Sequence, residues 1–92
     1  MSDQTTKCLI LSGMVQGVGM RNFIRRTAQR KDISGYVRNL SDGTVECVCQ
    51  GSEKNVQAFL NSIKINSPGT ISDISKETCE DSKNYDSFNI RL

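Results

Sequence analysis

The sequence predicts an α+β fold in which two helices cover one face of an antiparallel sheet of four to five strands. Two apolar stripes at helical spacing alternate with short apolar runs typical of strands, in the order β-α-β-β-α-β. A length of 92 residues suits one domain over residues 1–92. Because each helix must bury its stripe against the sheet, this order gives a ferredoxin-like α/β sandwich.

The first half of the chain contains a buried strand and a basic helix. Residues 1–6 are polar and are expected to be frayed. Residues 7–13 form an apolar run with little alternation, which indicates a central strand. A helix is predicted over residues 20–31, because an apolar stripe recurs there at i, i+3, i+4, i+7 and i+8. The stripe consists of Met20, Phe23, Ile24, Thr27 and Ala28.

The second half supplies a hairpin, a second helix and the closing strands. Strands are predicted over residues 35–40 and 44–50, on either side of a Ser41-Asp42-Gly43 turn. Ser52 is expected to cap the next helix, which residues 66–69 end. Strands over residues 70–79 and 85–92 follow. The stripe of the second helix is Val56, Phe59, Leu60 and Ile63.

Positive charge is concentrated in the first half of the chain. Residues 7–38 carry seven cations and one acid, a net charge of +6, whereas residues 39–92 carry a net charge of −3. Such a field attracts small anions. A solvated basic helix face is the alternative for Arg25, Arg26 and Arg30.

Histidine is absent, which excludes histidine general bases and most zinc sites, and no metal site is predicted.

The four cysteines are expected to be free and mostly buried. The Cys47-x-Cys49 spacing fits neither a zinc site nor a thioredoxin-like motif. A disulfide of Cys8 with Cys47 or Cys49 is the alternative, if their strands are neighbours. The sequence shows no signal pattern and no membrane-length apolar run, so a cytoplasmic protein is expected. Disulfides are rare in that compartment.

A glycine-rich loop joins the first strand to the first helix. Gly13, Gly17 and Gly19 permit positive φ, which turns backbone N–H groups toward one point. Beside a helix N-terminus such groups bind an anion, and Arg21 adds a planar fork of donors that matches phosphate. The loop lacks the Gly-Lys-Ser/Thr ending of a nucleotide P-loop, so neither nucleotide nor magnesium is implied.

A second polar residue is expected to approach this loop. The first two strands run parallel in a split β-α-β unit, so their C-terminal ends lie at the same end of the sheet. Arg21 and Asn39 would then lie close together, and the Asn39 carboxamide could orient a water. The structural alternatives are a surface helix cation for Arg21 and a turn-capping side chain for Asn39.

These motifs resemble those of the acylphosphatase family. The family pattern Gly-x-Val-Gln-Gly-Val-x-Phe-Arg is similar to residues 13–21, Gly-Met-Val-Gln-Gly-Val-Gly-Met-Arg. A second family stretch, Gly-Trp/Tyr-Val-x-Asn, is similar to residues 35–39, Gly-Tyr-Val-Arg-Asn, with Asp42-Gly43 as the following turn. Residues 88–91 look like the family's last strand, so the resemblance covers nearly the whole chain.

The resemblance implies hydrolysis of the carboxyl-phosphate bond of acyl phosphates, without a metal or other cofactor. Arg21 matches the catalytic, phosphate-binding arginine, and Asn39 matches the asparagine that holds the attacking water. Inorganic phosphate or sulfate would bind at the same place. The matching phosphate-binding loop, which acts through backbone N–H groups, consists of Val15, Gln16, Gly17, Val18, Gly19 and Met20.

Two residues of this loop carry further expectations. Met20 stands where the family usually has phenylalanine, which leaves its effect on catalytic efficiency open. The Gln16 side chain is expected to be solvent-exposed rather than catalytic.

Three other functions are weighed against hydrolysis. An RNA-binding module would need exposed aromatics on the central strands, and residues 45–49 have none, so no nucleic-acid partner is expected. A non-catalytic anion-binding or interaction domain on the same fold stays open. A domain of a larger carbamoyl-transfer protein is disfavoured by the chain length. A monomer without a membrane partner is expected.

Overall fold

A five-stranded sheet with both helices on one face forms the fold, in a computed structural model that describes residues 4–77, 79 and 84–91. The ferredoxin-like α+β arrangement is as predicted. The elements in chain order are β1 (Gln4–Met14), α1 (Met20–Arg30), β2 (Ser34–Asn39), β3 (Val45–Ser52), α2 (Glu53–Asn66), β4 (Thr70–Glu77) and β5 (Phe88–Arg91).

The strand order is β4-β1-β3-β2-β5, and the sheet is mixed. Strand β1 pairs antiparallel with β3 and β4, and β2 pairs antiparallel with β3. The predicted antiparallel sheet is therefore correct for β1 to β4 and wrong for β5, which runs parallel to β2. Because β3 lies antiparallel between them, β1 and β2 run in the same direction, as predicted. Their last residues, Met14 and Asn39, consequently lie at the same end of the sheet.

The first strand is longer than its apolar run predicts. It begins at Gln4, so the expectation of a frayed segment is wrong for residues 4–6. Thr6 pairs with Gln50 of β3, and Gln50 Nε2 donates a hydrogen bond to Thr6 Oγ1 at 2.9 Å. The backbone of these polar residues pairs with β3, and their side chains add hydrogen bonds, neither of which a hydropathy pattern can predict. Some predictions concern positions outside the described residues: the fraying of residues 1–3, and the parts of the last two predicted strands at residues 78 and 92. Residues 80–83 also lie outside the described residues.

The core lies between the sheet and the two helices. Both predicted helix stripes are buried, except that Phe23 is only partly buried. Ser52 caps α2 as predicted, since its hydroxyl accepts a hydrogen bond from the Asn55 N–H at 3.1 Å. Neither described helix has the length and hydropathy needed to cross a membrane. The sheet buries Leu9, Leu11, Val37, Val45, Cys47 and Cys49 against the helices.

The cysteine predictions need correction at two positions. Cys8 forms a disulfide with Cys79, whose Cα lies 5.5 Å away, whereas Cys47 and Cys49 are free and buried as expected. Cys47 and Cys49 are paired across the strands with Leu9 and Lys7, so they point to the face opposite that of Cys8. The alternative pairing of Cys8 with either of them is therefore wrong as well. The hydrogen bond with Cys49 and burial raise the pKa of the Cys47 thiol, which keeps it neutral.

The disulfide anchors the connection from β4 to β5 on the face of the sheet that the helices leave open. These strands lie at opposite edges of the sheet. Cys79 is tied to β1, and farther on the Tyr85 N–H donates to Gln50 Oε1 at 2.9 Å. The Tyr85 ring lies 6.1 Å from that of Tyr36 on β2. The strand that follows Tyr85, β5, lies beside β2 in parallel orientation.

Replacing both Cys8 and Cys79 by serine should lower the free energy of unfolding. The bridge closes a loop with a sequence separation of 71. Closing a loop of that length lowers the entropy of the unfolded chain, which stabilises the folded state by about 4 kcal/mol. Urea unfolding of wild type without and with reductant should show this loss, whereas the double variant should be insensitive to reductant. A wild-type unfolding curve that reductant does not shift would contradict the bridge.

Candidate active site

The loop between β1 and α1 is held at both ends by buried side chains. Val15 and Met20 are each 1% exposed and belong to the core. Between them Gly17 and Gly19 have φ of 75° and 80°. A Cβ at either glycine would meet no atom within 4 Å, so the backbone conformation, and not space, requires glycine there. Positive φ at alternating residues is the backbone pattern that turns successive N–H groups inward, and it favours an anion-binding concavity at this loop.

The N-terminus of α1 is open toward this concavity. Gly19 is the N-cap residue, no side chain caps the helix, and no acid lies in its first turn. The first N–H groups of a helix have no partner within the helix, and the helix dipole favours an anion beside them. Arg21 lies in this first turn and is partly buried. Among the described residues, no carboxylate lies within ion-pair distance of the Arg21 guanidinium.

Asn39 is the last residue of β2 and pairs with Val45 of β3. Its side chain is partly buried, and its Oδ1 atom is buried and accepts no hydrogen bond from the described protein groups. A buried carbonyl oxygen without a donor costs about 1–3 kcal/mol, so such atoms are rare and call for an explanation. A water or a substrate group would supply the missing donor.

One cavity of about 220 Å³ brings these groups together. The structure thus places Arg21, Asn39, Gly17 and Gly19 around a single space, as the sequence predicts. The expectation is wrong for Gly13, which lies within β1 and is not among the residues that line this space. Val15 and Met20 border this space although each residue is 1% exposed and belongs to the core. The cavity is lined by Val15, Gly17, Gly19, Met20, Arg21, Asn22, Asn39 and Ile90.

The other two residues of the predicted loop have different surroundings. Val18 packs against the core, and its Cγ2 would lie 2.9 Å from a Cβ added at Gly69. The Gln16 side chain is partly buried, and its Nε2 donates hydrogen bonds to Leu40 O at 2.9 Å and Thr44 O at 2.8 Å. The expectation of a solvent-exposed Gln16 is therefore wrong. The side chain turns away from solvent because two carbonyl groups of the β2–β3 turn accept its protons.

Sequence reasoning missed two residues that line the cavity, Asn22 and Ile90. Asn22 follows Arg21 in the first turn of α1, so its position in the sequence was a usable signal. Ile90 lies beside Val37 in the parallel pairing of β5 with β2. That pairing brings β5 next to the strand that carries Asn39, and it could not be found without the sheet topology.

A larger cavity of about 460 Å³ lies on the open face of the sheet and is chemically different. Its arginine, Arg38, is paired with Glu46, with 2.6 Å between Nε and Oε1. Burial and the nearby Glu46 carboxylate raise the pKa of Tyr36, and the Arg91 guanidinium lies 3.8 Å from the centre of the Tyr36 ring. Both cations have partners here, whereas no described carboxylate lies within ion-pair distance of Arg21.

Comparison with known proteins agrees with this geometry. The family model described as acylphosphatase matches residues 7–90. An acylphosphatase of Bacillus licheniformis is 37% identical over 83 residues, which cover 89% of this chain and 92% of that protein. The crystal structure of acylphosphatase from Bacillus subtilis superposes with a TM-score of 0.87 at 33% identity, over 95% of this chain and 98% of that one.

A larger protein contains a similar domain. Full-length HypF, crystallised in a phosphate- and nucleotide-bound form, matches with a TM-score of 0.86 and 28% identity. All of this chain is covered, but only 12% of that one. The family model and the relatives that match along nearly their whole length lead to one conclusion: the chain belongs to the acylphosphatase family.

Proposed function

We propose that this protein hydrolyses the carboxyl-phosphate bond of acyl phosphates, giving a carboxylate and inorganic phosphate. Arg21 and the backbone N–H groups of residues 15–20 hold the phosphoryl group, and Asn39 orients the attacking water. The observation that carries the proposal is that Asn39 lines the same cavity as Arg21 and the loop, and that its buried Oδ1 accepts no hydrogen bond from a described group. A water donating to this oxygen would lie beside a bound phosphoryl group.

The reaction needs few groups because its leaving group is good. The water oxygen forms a bond to phosphorus, while the bond from phosphorus to the acyl oxygen breaks and its electron pair leaves with the carboxylate. A water proton ends on the phosphate or in solvent. The conjugate acid of the leaving group has a pKa of about 4, so it departs without a general acid. The absence of histidine from the sequence is therefore no obstacle.

Stabilisation of charge in the transition state is the main task left to the protein. Phosphoryl transfer depends mostly on positioning and on neutralising charge on the phosphoryl oxygens. Arg21 offers two parallel donors to these oxygens, and the loop offers fixed dipoles. Since these groups supply the positive charge that a metal would otherwise bring, the proposed mechanism is independent of metals.

The setting of the enzyme is part of the same proposal. We propose one domain over residues 1–92, acting as a monomer in the cytoplasm, with small acyl phosphates and inorganic phosphate or sulfate as its ligands. The disulfide between Cys8 and Cys79 weighs against the cytoplasm, because reducing compartments rarely keep such bonds. Thiol titration of protein taken directly from cells would decide this point.

The purified protein should release inorganic phosphate from acetyl phosphate faster than spontaneous hydrolysis, in the presence of EDTA. The rate should not change when magnesium replaces EDTA, because no step uses a metal. Colorimetric assay of phosphate measures both rates. A rate lost in EDTA and restored by metal would refute the metal-independent mechanism. Thermal stabilisation by phosphate without turnover would instead favour a non-catalytic anion-binding domain.

A further inference from the structure

The Gln16 side chain connects the phosphate-binding loop to a distant turn. Its Nε2 donates to Leu40 O and Thr44 O, which lie 24 and 28 residues away in the sequence. These carbonyls stand at the two ends of the β2–β3 turn. A side-chain amide has two N–H protons, and each finds a carbonyl here. The amide therefore fixes both ends of the turn against the loop.

The Gln16 amide holds the carbonyl group of Leu40, the residue directly after Asn39. Leu40 follows Asn39 directly, and the pairing of Asn39 with Val45 is the last in the β2–β3 register. The Asn39 Oδ1 makes no hydrogen bond to described protein groups, so that oxygen gives the side chain no anchor. The position of Asn39 therefore depends on its backbone and on packing, and Gln16 holds the next carbonyl along that backbone, that of Leu40.

We infer that Gln16 is a positioning residue, which sets Asn39 at the correct distance from the phosphoryl group held by the loop. This inference rests on the proposed function. The side chain joins the part of the site that holds phosphate to the part that holds water, so it fixes the line from water to phosphorus. A displacement of about 1 Å in such a geometry can lower a rate by about 10²-fold.

Loss of the Gln16 amide should leave the turn folded. The Leu40 N–H still donates to Thr44 O at 2.9 Å, and the Gly43 N–H still donates to Leu40 O at 3.3 Å. Asp42 also accepts hydrogen bonds from the backbone N–H and the hydroxyl of Thr44, which lower the pKa of its carboxyl. The turn thus keeps its own hydrogen bonds, and only its attachment to the loop is lost.

A double-mutant cycle between Gln16 and Asn39 tests this role. Gln16→Met keeps the length of the side chain and removes both donors, and it should lower kcat for acetyl phosphate by about 10–100-fold. In an Asn39→Ala background the same change should cost less than about 3-fold, because residues that act as one unit are non-additive. The inhibition constant of inorganic phosphate should stay near its wild-type value, since Arg21 and the loop are intact.

Two outcomes would overturn the inference. Equal losses of kcat in both backgrounds would show that Gln16 acts independently of Asn39. A large rise in the inhibition constant of phosphate would show that Gln16 shapes the loop instead. Gln57→Met, on the exposed surface of α2, is the matched control and should change neither constant. Gln16→Leu, a second side chain without donors, replaces Gln16→Met if urea unfolding shows that variant to be unfolded.

A spectroscopic readout separates this inference from the proposed function. In amide NMR spectra, Gln16→Met should shift the Asn39 side-chain NH₂ signals and the backbone signals of residues 40–44, whether or not the protein turns over. Unshifted signals would refute the connection. A wild type that releases no phosphate while these signals do shift would refute the proposed function and leave the connection intact.

Discussion

Replacing Arg21 by alanine should lower kcat/KM for acetyl phosphate by at least about 10³-fold, since loss of one positioned donor typically costs 10²–10³-fold and a guanidinium offers two. Arg21 lies in the first turn of α1 at the cavity that Asn39 also lines. No described carboxylate lies within ion-pair distance of it, so its charge is available to a substrate. Assays of phosphate release from acetyl phosphate measure this loss.

Lysine at this position separates charge from geometry. Arg21→Lys keeps the positive charge but loses the planar pair of donors, so it should recover only a minor part of the rate. Phosphate binding, measured by calorimetry, should weaken in both variants because the same guanidinium holds the product. Arg26→Ala, on the exposed side of the same helix, should leave both measurements unchanged. Near-normal turnover of Arg21→Ala would exclude Arg21 from the phosphoryl site.

Local sequence patterns predicted the parts of the site that are continuous in the chain. The loop and Arg21 lie within residues 13–21, where glycine spacing and the start of an apolar stripe define a strand-loop-helix unit. Asn39 was predicted from one topological rule, the parallel direction of β1 and β2. That rule requires only that β3 lie between them, and the register of β3 with both strands agrees.

Contacts between side chains distant in the sequence could not be predicted in the same way. The hydrogen-bond partners of Gln16 depend on how the loop packs against the β2–β3 turn. The spacing of apolar residues carries no information about that packing. The partner of Cys8 depends on β4 lying beside β1, in a pairing whose register shifts between Ser12 and Gly13. Strand alternation could have excluded Cys47 and Cys49, because both share a face with the core residues Val45 and Leu9.

The consequence of Met20 follows from burial rather than from the motif. Met20 is 1% exposed and belongs to the core, and it also borders the cavity. A flexible side chain at this position is therefore expected to affect mainly the packing of the first turn of α1 against the core.

Asn39→Ala should lower kcat by about 10²–10³-fold, the usual cost of one positioned hydrogen-bonding group, and should leave phosphate affinity nearly unchanged. The physical reason is that different groups are proposed to bind the phosphoryl group and the attacking water. In the proposed mechanism Arg21 and the loop face the phosphoryl oxygens, whereas Asn39 Oδ1, which has no described donor, accepts a hydrogen bond from the attacking water. Steady-state kinetics with acetyl phosphate and calorimetry with inorganic phosphate measure the two quantities.

The expected effects on kcat and on phosphate affinity distinguish Asn39 from Arg21: loss of Asn39 should change kcat alone, whereas loss of Arg21 should change both. An interaction made only with the attacking water contributes to the transition state and not to binding of the phosphate product, so its loss appears in kcat alone. Asn61→Ala, at an exposed position of α2, is the matched control and should change neither quantity. Weakened phosphate binding in Asn39→Ala would mean that Asn39 contacts the phosphoryl group itself. Full activity in that variant would mean that the loop and Arg21 place the water unaided.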